Sequence, residues 1–67
     1  MMAQDRYAYS IGELVVDVDG DILRICGHYP LESGRLAYDV IDIDPITGNP
    51  DGFEYLIMEE CIVGRKE

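Results

Sequence analysis

From Glu13 to Gly27 apolar and polar residues alternate, with the two-residue period of a pleated strand. Glu13-Leu-Val-Val-Asp-Val18 is rich in β-branched residues and reads as a strand. Asp19-Gly20 follows, a strong signal for a two-residue hairpin loop, and Asp21-Ile-Leu-Arg-Ile-Cys-Gly27 is the returning strand. Such a loop pairs Val18 with Asp21, Asp17 with Ile22, Val16 with Leu23, Val15 with Arg24 and Leu14 with Ile25. Leu14, Val16, Val18, Leu23 and Ile25 then form the core face. The outer face carries Glu13, Val15, Asp17, Ile22, Arg24 and Cys26. A slip of one residue would exchange the faces of one strand, because side chains alternate across the sheet.

The rest of the chain continues as strand, turn, strand. Tyr29-Pro-Leu-Glu-Ser-Gly34 reads as a loop. Residues 35–44 form a third strand with Leu36, Tyr38 and Val40 on one face; Ile41 and Ile43 break its alternation, which predicts a bulge near 40–41. Asp44-Pro-Ile-Thr-Gly-Asn-Pro-Asp-Gly52 reads as a long turn. Phe53–Met58 is a fourth strand, Glu59-Glu60 a tight turn and Cys61-Ile-Val63 a short fifth strand. No stretch has the period of an amphipathic helix of ten residues. The expected organisation is a tail over 1–10, one β domain over 11–63 and a short tail over 64–67.

Five short strands without a helix predict a mainly β fold, either a small five-strand antiparallel barrel or a curled sheet. Closure into a barrel would remove the unpaired edges. The pattern resembles the SH3-like barrels, particularly the KOW and Tudor kinds. The resemblance lies in Ile11-Gly-Glu-Leu-Val15 at the opening, in the Asp19-Gly20 hairpin and in Tyr38-Asp-Val40. It continues in Glu59-Glu-Cys-Ile-Val63, which looks like the helical turn and last strand that complete such barrels. It spans roughly residues 11–63. This chain departs from KOW barrels that touch RNA in being acidic, so the resemblance does not imply nucleic-acid binding here.

Length and charge narrow the function. A chain of 67 residues buries only about 60% of its unfolded surface and draws roughly 3–5 kcal/mol of stability from its core. Fourteen Asp and Glu against five Lys and Arg give a formal charge of −9. Such a surface repels DNA, RNA and anionic membranes and attracts basic protein surfaces. Met1–Ser10 has no apolar run of a secretory signal, and the longest apolar stretches, Leu14-Val-Val16 and Leu56-Ile-Met58, are too short to span a bilayer. The expected location is the cytoplasm, with Cys26 and Cys61 reduced.

Several motifs come near to known chemistry. Asp17-Val-Asp19-Gly-Asp21 opens like a calcium loop, but Ile22 stands where the sixth-position Gly belongs and His28 where the twelfth-position Glu does. In Thr47-Gly-Asn49-Pro-Asp51-Gly52, Met58 replaces that Glu. Zinc would need a fourth ligand beside Cys26, Cys61 and His28. We therefore expect no metal and no cofactor. Cys26 and His28, two residues apart on a strand, could form a thiolate–imidazole pair; unrelated side chains on one face is the plainer reading, and we expect no enzyme. Tyr7, Tyr9, Tyr29, Tyr38, Phe53 and Tyr55 could build a cation-binding cage or serve only in packing.

Two functions of different classes follow. By size and charge the chain resembles the acidic inhibitors encoded by phages, of the anti-CRISPR and anti-restriction class. That resemblance implies a protein that imitates nucleic-acid charge to occupy a basic protein surface, with Asp17, Asp19, Asp21, Asp39, Asp42 and Asp44 as contacts. The alternative is an SH3-like adaptor that docks through Val15 and Ile22 on the apolar outer face of the first hairpin, either to a partner protein or to a second copy of itself. Clustered acids favour the first reading and scattered acids the second.

Overall fold

The computed structural model describes residues 6–67. Five strands follow one another in the chain: β1 (Leu14–Asp17), β2 (Ile22–Pro30), β3 (Leu36–Ile43), β4 (Pro50–Met58) and β5 (Ile62–Arg65). A 3-10 turn, Glu59–Cys61, lies before β5. All pairings are antiparallel and the order across the sheet is β4-β3-β2-β1-β5. The sheet curls but does not close, so β4 and β5 remain as edges. The mainly β expectation holds in its curled-sheet form.

The first hairpin has a different register from the expected one. Leu14 pairs with Arg24, Val15 with Leu23 and Val16 with Ile22. Asp19 and Gly20 do not form a mirror-image two-residue loop, which needs positive φ at both positions. Only Gly20 has it, at 87°. The loop is one residue longer, Val18-Asp19-Gly20, and Gly20 N–H donates to the Asp17 carbonyl at 3.0 Å. That geometry is a type I turn followed by a left-handed glycine. The extra residue turns β1 over. Val15 enters the core at 0% exposure, whereas Leu14 and Val16, expected inside, lie on the outer face with Ile22 and Arg24. Leu23 and Ile25 are buried as expected.

The core on the concave face is Val15, Leu23, Ile25, Tyr38, Val40 and Ile62. Tyr7, Tyr9 and Ile57 pack against it. The register with β4 shifts between Val40 and Asp42, close to the expected 40–41, but β3 carries no inserted residue. Ile41 alone faces Gly52, Phe53 and Glu54 of β4, and Asp42 keeps the inner-face parity of Tyr38 and Val40 while Ile43 is buried from the other side. The turn after β3 is shorter than expected. Asp44 N–H donates to the Asn49 carbonyl at 2.9 Å and Gly48 N–H to the Asp44 carbonyl at 2.7 Å. Pro50 and Asp51 are thereby free to pair with Ile43 and Asp42 as the start of β4. A proline is tolerated there because β4 is an edge and its free side needs no donor.

Candidate functional site

An antiparallel meander returns every second turn to the same end of the sheet. The β1–β2 turn and the β3–β4 turn are therefore neighbours, and the acids of both face a common groove of about 420 Å³. Asp21, Asp42, Asp44 and Asp51 line it, together with Ile22, Ile43, Pro45 and Ile46. Asp17 and Asp19 stand beside Asp21, with one carboxylate oxygen of each within 4.8 Å of the others.

Each acid has a distinct local setting. Asp17 is only 6% exposed. Its Oδ1 accepts the backbone N–H of Asp19 at 3.0 Å and of Asp21 at 2.9 Å, so its burial is compensated and it shapes the turn. Asp42 shares the core face with its neighbour Leu23 and accepts the Tyr55 hydroxyl at 2.7 Å. It also stands opposite Asp51 in the β3–β4 ladder, an arrangement that like charges disfavour. Asp44 caps its own turn, accepting the Ile46 N–H at 2.8 Å. Asp21 feels the crowding most directly. The Asp17 carboxylate, then desolvation, then Asp42 and Asp19 push its pKa above the ordinary value. Desolvation and the bond to Asp42 likewise push the Tyr55 hydroxyl up, with Asp17 and Asp21 adding to the effect. Among the described residues the ion pairs are Arg35–Glu60 and Arg65–Glu13; neither involves an acid of the groove.

The structure thus unites two acidic runs that are more than twenty residues apart in sequence. Of the candidate contacts, Asp21, Asp42, Asp44 and Ile22 line the groove, and Asp19 stands beside Asp21 outside its lining. Asp39 does not: it pairs with Gly27 and Leu56 beyond the bulge. Two assignments need correction. Val15 is in the core and unavailable to a partner, because the longer turn reversed β1. Asp17 follows Val15 to the inner side and is tied to the backbone of its own turn. Asp51 entered the sequence reading only within the incomplete calcium loop and Tyr55 only as a candidate cage aromatic; neither was expected at this groove, since the role of Tyr55 depends on a diagonal neighbour across strands.

Cys26 and His28 do not form a catalytic pair. The Cys26 thiol donates to the Arg24 carbonyl, and burial, with Glu54 and Asp39 adding, pushes its pKa up, away from a reactive thiolate. His28 Nε2 donates to the Tyr9 carbonyl at 2.8 Å, and its ring stacks on Tyr7 at 4.1 Å. Tyr7, Tyr9, His28 and Tyr38 thus pack ring against ring, which accounts for three of the six aromatics as packing. The chain matches no family model, no curated protein and no solved structure. Among the described residues no helix is long and apolar enough to cross a membrane.

Proposed function

We propose that this chain is a non-enzymatic, acidic protein-binding domain whose turn-end groove occupies a basic, nucleic-acid-binding protein surface. The observation that carries the reading is the convergence of Asp21, Asp42, Asp44 and Asp51 on one groove, with Asp19 beside Asp21 and no ion-pair partner for any of them among the described residues. Crowded carboxylates cost stability when they repel, and that cost is recovered when a cationic surface neutralises them. Duplex DNA carries one charge per about 1.7 Å of axis, and a basic surface built for it meets a comparably dense row here. The strand order and the 3-10 turn before β5 suit the SH3-like reading, and the acid cluster suits the phage-type inhibitor reading.

The test uses DNA-binding proteins retained on DNA-cellulose as the probe population. They should bind the immobilised chain and be released by added duplex DNA. The double variants Asp19→Asn with Asp21→Asn, and Asp42→Asn with Asp44→Asn, should fold, retain fewer of these proteins and show a flatter salt dependence. Retention that is unchanged in both variants removes the reading.

A second reading is an adaptor that docks through the outer face of the first hairpin. It rests on Leu14, Val16 and Ile22, which share that face and are only partly covered. Val16→Asp, on the same face but outside the groove lining, should abolish binding by that route while leaving the groove unchanged.

A further inference from the structure

The open sheet leaves two edges, and they are protected to very different degrees. Natural sheets guard an edge by keeping it short, placing Lys or other charge on it, or bending it away. Edge β5 has four residues, ends in Arg65 and is followed by Lys66. Edge β4 has nine, of which seven are exposed, and carries no Lys or Arg. It pairs with β3 alone among the described residues. Gly52, Phe53 and Glu54 fall between the Asp42–Asp51 and Val40–Tyr55 pairs, opposite Ile41 alone. This bulge shields the first part of the edge. Beyond it Tyr55–Met58 run in regular register with Val40–Ala37, so alternate backbone groups on the free side have no partner from the sheet. Phe53, at 92% exposure, Leu56 at 48% and Tyr55 at 39% offer apolar surface along the same edge.

We propose that β4 is a docking edge that takes an extended, Lys/Arg-rich segment of a partner protein as a sixth strand. Strand addition supplies main-chain hydrogen bonds, and side chains at alternate positions supply specificity. Charge decides the occupant. Glu54 and Asp51 lie on β4, and Asp39 and Asp42 face it from β3. Side chains of the added strand alternate between the two faces: on one they meet Tyr55 with Asp42 and Asp51, on the other Leu56 with Asp39, so each face offers both an apolar contact and a carboxylate. A second copy of this chain brings another formal −9 to the contact and is disfavoured. The basic character of the partner rests on the proposed function; the use of the β4 edge rests on topology.

The experiment uses the whole chain and a peptide of about eight residues alternating arginine and valine. Binding should protect the amides of Tyr55–Met58 from hydrogen exchange. Two N-methylated copies, one blocked at every arginine amide and one at every valine amide, each lose the hydrogen-bonding donors of one peptide edge. At least one copy should bind tenfold or more weakly, and a glutamine–valine peptide should also bind at least tenfold more weakly. If both methylated copies bind as the parent does, or protection appears elsewhere, the docking edge is overturned. The groove reading is judged separately by the Asp19→Asn with Asp21→Asn double variant, which leaves the acids of β3 and β4 in place. No effect of that variant with retained methylation sensitivity removes the groove and leaves the edge, and the converse removes the edge.

Discussion

Asp17 shows how one side chain can decide a local structure. It stands at the first position of a type I turn, where Asp is favoured, and its Oδ1 takes two backbone N–H groups that the turn would otherwise leave unpaired. Asp17→Ala should lower stability by about 1–3 kcal/mol, the cost of leaving such donors unsatisfied. Asp17→Asn keeps an oxygen acceptor and should cost much less; equal losses in urea unfolding would show that the two bonds do not matter. Asp21 has the opposite balance. Its carboxyl is raised above the ordinary value by Asp17 first, so the folded state holds its proton more tightly than the unfolded chain does. This term favours folding at low pH and is lost as pH rises through the carboxylate range. Asp21→Asn should therefore raise Tm at pH 7. The gain should vanish below pH 4 and shrink in high salt. A Tm that falls at pH 7 would contradict the crowding seen at the groove.

The first hairpin is the element on which the sequence reading went astray, and the reason is a single loop residue. Asp19-Gly20 is compatible with a two-residue loop and with the last two residues of a three-residue loop, and only φ distinguishes them. Because strand side chains alternate, that choice moved Val15 inward and Leu14 and Val16 outward. Paired substitutions test the register. Val15→Ala should cost about 1.5–3 kcal/mol, the worth of a fully buried Val side chain, while Val16→Ala should cost clearly less. Leu23→Ala should cost about 2–5 kcal/mol, in either register. A larger loss at Val16 than at Val15 would restore the two-residue loop. The irregularity near 40–41 was legible from Ile41 and Ile43, but its strand was not: the extra residues, Gly52–Glu54, belong to β4, and Ile41 and Ile43 keep the outer parity of an unbroken β3.

Across the whole molecule, antiparallel order brings acids of two distant turns to one end of the sheet. The groove acids come from two turns, and an even meander brings those turns together whatever the residues between them. Raising salt from low to physiological levels should slow association with a basic partner severalfold in the parent chain, as screening shortens the reach of the groove's field. The Asp42→Asn, Asp44→Asn variant should show a smaller change in stopped-flow rates. Identical salt slopes would mean that the groove does not steer encounter. The strand-rich character and the acidic balance were determined by the sequence itself, because propensity, charge and local alternation act between near neighbours. The register of the first hairpin, the meeting of Asp21 with Asp42 and Asp51, and the open β4 edge were decided only in the tertiary structure. Each depends on contacts between distant segments, where a change of one residue in a loop or one missing strand pairing alters which side chains share a face.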